Sequence, residues 1–378
     1  MARNGPPMNA SVLPPLQQIP ADVACLDDYA ALARPRMSEA AWAYVNGAAA
    51  DELTLADNVA GFRRLKLLPR VLREFAGGHA GLTLFGRQLD YPVLLAPIAF
   101  QKLAHPQGEL ATAVAAGAAG AAMVVSTQAS HTLEDIAQAA GGPLWFQLYI
   151  QPDRAFTRDL VARAEAAGYE ALVVTVDAPV NGVRNREQRA GFALPPGVEA
   201  ANLRGMRSLP PHTAAIGQSA VFGSPHVAAA PGWKDLEWLA GITRLPVLAK
   251  GILAPADALR AADCGAAGLI VSNHGGRTLD TVPATIDALP RIARALDGRL
   301  PLLLDGGIRR GTDVLKALAL GATAVLLGRP YLHGLAAAGA LGVAHVLHLL
   351  RAELEAAMVL SGCRTLADID AGLLWDPA

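Results

Sequence analysis

Eight short apolar runs, separated by alanine-rich segments with helical spacing, predict a closed (β/α)8 TIM barrel. The runs are residues 93–96, 123–126, 144–148, 172–176, 247–250, 268–272, 302–305 and 324–328, each of the kind expected for a buried parallel strand. A second observation is where the polar residues fall: they gather at the C-terminal ends of these runs, where such a barrel assembles its chemistry. A doubly wound open sheet shares the alternation, but the count of runs favours closure. At 378 residues, one such unit enlarged by insertions accounts for the whole chain.

In chain order, Pro6, Pro7, Pro14, Pro15 and Pro20 interrupt the first stretch, which reads as neither a signal peptide nor an anchor. We expect a mobile tail over 1–20 and a single domain over 21–378. From 27 to 62, Tyr29, Leu32, Trp42, Val45, Leu55 and Phe62 recur at helical intervals, and Ser38-Glu39 marks a helix start; this is a helical cap. Segments 66–73 and 82–89, with Gly77-Gly78 between them, read as hairpin strands covering one barrel end. The interstrand pieces 109–116, 132–140, 154–167, 255–262, 282–296 and 311–320 are helical in pattern. About seventy residues separate the fourth and fifth runs, and their centre, about 190–232, is rich in Pro, Gly, Ala and Ser, the pattern of a lid at the catalytic end. An amphipathic helix over 341–360 closes the fold. Its His345 and His348 have no acidic motif between them and read as helix surface rather than metal ligands.

Composition narrows the function. With 52% hydrophobic and 17% charged residues the chain is globular, and a net charge of -1 gives no footprint for nucleic acid. Cys25, Cys264 and Cys363 form neither a disulfide framework nor a zinc motif, which suits a reducing cytoplasm. The long uncharged stretches 110–133 and 331–350 are broken by glycines and polar residues, so no membrane span is expected.

The densest chemistry is Ser272-Asn273-His274-Gly275-Gly276-Arg277. It places a base that titrates near neutrality three residues from a guanidinium able to grip a carboxylate, a pairing suited to proton abstraction from an anionic substrate. Gly306-Gly307-Ile308-Arg309 and Gly328-Arg329, after runs seven and eight, supply exposed backbone N–H groups and two guanidiniums, as a phosphate-bearing ligand requires. Lys250, at the end of run five, has two readings: a fixed charge beside a cofactor ring, or the Schiff-base lysine of a non-redox aldolase or isomerase.

Taken together, the chain from about 26 to about 369 resembles the FMN-dependent α-hydroxy-acid oxidising enzymes, a family that includes glycolate oxidase, lactate oxidase and mandelate dehydrogenase. The likeness rests on Ala96-Pro97, Ala104-His105-Pro106-Gln107-Gly108-Glu109, Phe146-Gln147-Leu148-Tyr149, Thr175-Val176-Asp177, Leu248-Ala249-Lys250-Gly251, the run from Ser272 to Asp280, Leu304-Asp305-Gly306-Gly307-Ile308-Arg309-Arg310-Gly311 and Gly328-Arg329-Pro330. The resemblance implies an FMN-binding barrel, usually a homotetramer, with His274 as base and Asp177 orienting it. It further implies that Arg184, Arg277 and Tyr44 grip the substrate carboxylate, and that Tyr149 meets the substrate hydroxyl. Around the flavin it places Pro97, Ala99, Ser126, Gln147, Thr175, Lys250 and Ser272, and on the ribityl phosphate Asp305, Gly307, Arg309, Gly328 and Arg329.

The expected reaction is oxidation of a small (S)-2-hydroxy acid to a 2-oxo acid with oxygen as acceptor, the alternative being a dehydrogenase passing electrons to a quinone or other carrier. Asp177 is expected to raise the His274 pKa by favouring the imidazolium. Gln128 and Asn181 stand where relatives often carry larger or apolar groups, which points to a polar or extended substrate side chain.

Overall fold

The computed structural model describes residues 12–207, 209–210 and 213–375. A hairpin of β1 (Leu82–Leu84) and β2 (Arg87–Leu89) precedes eight strands: β3 (Val93–Leu95), β4 (Met123–Ser126), β5 (Leu144–Leu148), β6 (Ala171–Thr175), β7 (Val247–Ile252), β8 (Gly268–Val271), β9 (Leu302–Asp305) and β10 (Ala324–Leu327). The eight pair in parallel in sequence order and β10 returns to β3, so the barrel predicted from the eight runs is the fold.

Helices α1 (Asp28–Ala33), α2 (Glu39–Asn46) and α3 (Leu53–Arg64) form the cap. The outer ring is α4 (Gly108–Ala118), α5 (Leu133–Ala139) and α6 (Arg154–Ala166), then α7 (Asn185–Arg189), α8 (Pro225–Ala228) and α9 (Trp233–Ile242) within the long connection, then α10 (Pro255–Asp263), α11 (Thr285–Leu296), α12 (Gly311–Ala319) and α13 (Arg329–Leu360). Side-chain caps fix several starts. Ser38 Oγ accepts from Ala41 N at 3.2 Å, Thr132 Oγ1 from Asp135 N at 3.1 Å, and Asp153 Oδ1 from Ala155 N at 2.9 Å.

Strand alternation produces two cores. One set of side chains points into the barrel, where Leu94, Val124, Trp145, Val173, Leu248, Ile270, Leu303 and Leu326 pack together; the other set, such as Phe146 and Leu148, packs against the helices. Moving two residues along each strand from those interior residues gives Ala96, Ser126, Gln147, Thr175, Lys250, Ser272, Asp305 and Gly328. This is the upper rim of the barrel, and its polarity follows from register alone.

Some elements differ from expectation. Segment 66–73 forms no strand beyond a single bridge between Leu67 and Leu374; the whole hairpin lies within 82–89. Its two-residue turn is Phe85-Gly86, with φ of 49° and 80°, and a phenylalanine in a left-handed turn gives no sequence signal. That phenylalanine plugs the lower end of the barrel, its ring edge-on to Trp145 at 5.7 Å. The expected helical cap is built of three helices, separated at Pro35 and Gly47.

Of the expected tail, residues 1–11 lie outside the described residues. Within 12–20, Leu13 N donates to Pro35 O at 2.9 Å and Leu16 N to Ala337 O at 2.8 Å. Among the described residues, α13 is long and apolar enough to cross a membrane, but it breaks at Ala338-Gly339 and packs on α4 and α12 with 56% of its most apolar window buried, so its apolar surface is used within the fold. His345 Nδ1 meets Tyr29 OH at 2.8 Å, and no metal-ligand cluster occurs among the described residues.

Because Trp145 joins the hairpin plug to the barrel interior, Trp145→Ala should destabilise the protein by roughly 3–5 kcal/mol. Denaturant unfolding checks this, and a loss below about 1 kcal/mol would deny Trp145 that part in the core.

Candidate active site

A cavity of about 710 Å³ opens at the polar rim, within the roughly 300–1,000 Å³ typical of small-molecule sites. It is lined by Tyr44 from the cap, Pro97 and Ala99 after β3, and Ser126, Gln147, Tyr149 and Thr175 from β4 to β6. Arg184, Lys250, His274, Arg277, Asp305, Gly307, Arg309, Gly328 and Arg329 complete the wall. The residues singled out from sequence therefore converge, with two exceptions. Asp177 and Ser272 do not line the cavity but stand behind His274 and Lys250.

Hydrogen bonds run across the strand ends. Ser126 Oγ donates to Gln147 Oε1 at 3.2 Å, and Gln147 Nε2 donates to Thr175 Oγ1 at 3.0 Å. Lys250 Nζ, 4% exposed with its residue, lies 2.9 Å from Ser272 Oγ and 3.0 Å from Asp305 Oδ2. Burial alone would lower its pKa, but the Asp305 and Asp177 carboxylates outweigh burial and raise it, so the amine stays protonated. A Schiff-base lysine needs the opposite shift, so the pairing with Asp305 favours the fixed-charge reading over the aldolase one.

His274 occupies a left-handed backbone conformation, φ 58°, in which its N–H donates to Ser272 Oγ at 3.0 Å. Its Nδ1 lies 2.9 Å from Asp177 Oδ1. Burial would raise the Asp177 pKa, but the hydrogen bond and charge of His274, together with Lys250, bring it below its usual value. The carboxylate thus accepts the Nδ1 proton and leaves Nε2 as the basic nitrogen. For His274 burial dominates, aided by Lys250 and Arg277, and its pKa falls below the ordinary value of 6.5 although Asp177 opposes the shift. The expected rise is therefore corrected: the carboxylate contributes in the expected direction, but desolvation and two cations exceed it.

Two arginines, Arg184 and Arg277, line the same cavity. Arg277 donates through Nη1 to Tyr44 O at 2.6 Å and Gly47 O at 2.8 Å, and its guanidinium lies over the Tyr44 ring at 5.0 Å. Arg184 Nε is buried without a partner among the described residues, as an N–H reserved for a ligand would be. The hydroxyls of Tyr44 and Tyr149 have no hydrogen-bond partner among the described residues, and burial pushes the Tyr149 phenol up to about 12, so it stays a donor.

The far end is cationic. Among the described residues, Arg329 is held by main-chain oxygens, Val45 O, Gly275 O and Gly47 O, at 3.0, 3.1 and 3.0 Å. Burial and its Arg277 and Arg309 neighbours push it down to about 9. Burial also lowers Arg309. Two guanidiniums beside Gly306 and Gly307, whose φ values are 94° and 89°, form a cationic cradle suited to an anion, and Asp305 Oδ1, buried without a partner among the described residues, adds an acceptor for a hydroxyl. This donor set fits FMN: Arg309 and Arg329 could hold its phosphate, Asp305 could accept from its ribityl hydroxyls, and Lys250 would supply positive charge to its ring.

Sequence reasoning missed several supporting residues. Glu187 on α7 joins Arg184 and Arg277. Phe192 stacks on Tyr44 at 4.5 Å. Asn58 and Asn273 exchange side-chain amide bonds of 2.9 and 2.8 Å, fastening α3 beneath the His274 loop. Gly251, with φ 111°, lies where a Cβ would come within 2.5 Å of Asp177, so only glycine leaves the carboxylate its place. The Lys250-Gly251 motif contained the signal for the last; the acid on α7 had none.

Comparison with known proteins agrees with this geometry. A family model described as FMN-dependent dehydrogenase matches residues 33–376. An L-lactate oxidase of Nostoc sp. is 50% identical, covering 92% of this chain and 97% of that protein. A peroxisomal (S)-2-hydroxy-acid oxidase of Oryza sativa subsp. japonica is 45% identical over 90% of this chain and 93% of its own. The structure of a mandelate oxidase with benzoyl-formic acid superposes with a TM-score of 0.84 at 42% identity, covering 93% of this chain and 98% of that one.

If Arg329 holds the phosphate, Arg329→Met should weaken FMN binding by roughly 10–100-fold, the weight of charge-assisted hydrogen bonds. Riboflavin, which lacks the phosphate, should bind the variant and the parent alike. Fluorescence titration of apoprotein with both ligands is the check, and equal losses for both would assign Arg329 a purely structural part.

Proposed function

Since the chain belongs to the FMN-dependent 2-hydroxy-acid oxidase family, we propose that it oxidises a small (S)-2-hydroxy acid to the 2-oxo acid and passes the electrons to oxygen, giving hydrogen peroxide. The observation that carries this reading is the Asp177-oriented His274 facing the same cavity as Arg184 and Arg277. The oxidases among the relatives, at up to 50% identity over most of the chain, support oxygen over a quinone or other carrier.

Bound FMN supplies the two-electron acceptor that oxygen then reoxidises. Arg184 and Arg277 hold the substrate carboxylate, and Tyr44 and Tyr149 direct their phenol groups at its oxygens. His274 Nε2 takes the proton released as the alcohol becomes a carbonyl, and Asp177 stabilises the imidazolium so formed. Lys250 keeps a positive charge deep in the cavity, where electron density accumulates during oxidation. Gln128 and Asn181 line the same cavity and offer amide groups to the substrate side chain. We extend the proposal to a cytoplasmic protein, which the three free thiols support, and to a homotetramer, which the family likeness supports.

A panel of glycolate, lactate, mandelate and malate, read first as bleaching of the flavin and then as peroxide release, tests the function. Absence of flavin reduction by every member would refute it. In an FMN-loaded protein, His274→Gln should slow reduction by roughly 10²–10⁴ and Lys250→Met by roughly 10²–10³.

The pH profile carries a sign. A protonated His274 cannot act as base, so reduction falls as pH drops through its pKa; because that pKa is depressed, the acid limb should lie below 6.5. Asp177→Asn removes the group favouring the imidazolium, so the limb should move further down while the maximal rate falls. Stopped-flow reduction across pH decides this, and an upward movement in the Asn variant would contradict the assignment.

A further inference from the structure

Between the two arginines of the grip stands an acid that the mechanism leaves unused. Glu187 Oε1 lies 3.1 Å from Arg277 Nη2 and 3.4 Å from Arg184 Nη1, and Oε2 lies 3.5 Å from Arg184 Nη1. The Glu187, Arg277 and Arg184 side chains are 13%, 15% and 18% exposed, so solvent screens their charges poorly. The acid is also held in place. Its helix α7 is anchored to the cap through Asn185 Nδ2 to Ala50 O at 3.2 Å and an Arg186–Glu52 ion pair.

We propose that Glu187 is a positioning residue that sets the spacing and net charge of the two-arginine grip and thereby restricts the site to 2-hydroxy acids bearing one carboxylate. The charge count gives the reason. Two guanidiniums facing one cavity carry +2; with Glu187 the cluster carries +1, which a single substrate carboxylate neutralises. Among the described residues that line the cavity, no arginine or lysine is left for a second carboxylate. Lys250 is committed to Asp305, His274 to Asp177, and Arg309 and Arg329 to the phosphate end. Geometry adds to this. Glu187 takes Arg277 Nη2 and Arg184 Nη1, leaving the unpartnered Arg184 Nε as a defined donor.

The inference rests on the reading that Arg184 and Arg277 hold the substrate carboxylate. Its test uses the FMN-loaded enzyme with lactate and malate, which differ by one carboxylate, in the parent, Glu187→Gln and Glu187→Asp. A second readout needs no turnover: binding of propanoate and succinate, followed through the absorbance of the bound flavin at a pH where both acids are fully ionised. The parent should favour lactate over malate and propanoate over succinate. In Glu187→Gln the malate-to-lactate ratio of kcat/KM should rise on the order of tenfold, as one charge at this range and screening permits. KM for lactate should rise more than kcat falls, and Glu187→Asp should return the ratio toward the parent's.

An unchanged ratio in FMN-loaded Glu187→Gln would overturn the proposal, as would a Glu187→Asp protein indistinguishable from it. If the Gln variant does not retain FMN, the parent decides: equal affinity for propanoate and succinate overturns the charge restriction, and a preference for propanoate upholds it. A parent reduced by no 2-hydroxy acid would refute the oxidase reading itself, an outcome distinct from an active parent whose variants keep its ratio.

Discussion

An ammonium group removed from water must be paired, and the arrangement around Lys250 follows from that requirement. Lys250, Ser272 and Asp305 project inward from three consecutive strand ends. The lysine bridges the other two at 2.9 and 3.0 Å. Ser272 Oγ in turn accepts the His274 N–H at 3.0 Å, so the loop carrying the base is tied to the lysine through one hydroxyl. The register of β7, β8 and β9 brings the three together, and closure of the barrel prevents that register from slipping. Catalytic geometry and barrel closure are thus one constraint.

Charge supplies the second constraint. Arg184, Lys250, Arg277, Arg309 and Arg329 line the cavity, whereas Glu187 and Asp305 are the acids on its wall and Asp177 stands behind His274. The excess of cations divides between two ends, one holding Arg309 and Arg329 and the other Arg184 and Arg277. On the proposed function, a phosphate and a carboxylate are the anions that complete them. The base between these ends is buried beside Lys250 and Arg277, and burial first, then these two cations, hold the His274 pKa below its ordinary value despite its aspartate neighbour.

Much of this was legible in the sequence, and the reasons are specific. Buried parallel strands read as apolar runs, and a polar residue two places beyond an interior one must lie on the rim, so Gln147, Thr175, Lys250 and Asp305 could be assigned without coordinates. The hairpin was misplaced because Phe85 adopts a left-handed turn that sequence reasoning reserves for glycine or asparagine. Glu187 was invisible for another reason: its partners lie 90 and 3 residues away, and only folding brings Arg277 beside Arg184. The sign of the His274 shift was missed because it depends on burial competing with a hydrogen bond, and sequence names the partner without giving the burial.

The division of labour between barrel and long connection explains what each controls. The groups that fit the cofactor, from Pro97 through Lys250 to Arg329, sit on strand ends or the loops directly after them. The proposed substrate grip is split: Arg277 follows β8, but Arg184, Glu187 and Phe192 belong to the connection after β6. That connection meets the cap at Ala50, whose N–H donates to Val183 O at 2.7 Å, and the cap meets the base loop through Ala49 N to Gly276 O at 2.7 Å. Cap, connection and base loop therefore form one closed circuit around the substrate end, while the phosphate end is built on β9 and β10. Among the described residues, a change in the connection reaches the Arg184–Arg277 end directly and the Arg329 end chiefly through the cap and the main-chain oxygens that hold it. Substrate preference can accordingly vary on this scaffold while cofactor binding stays fixed.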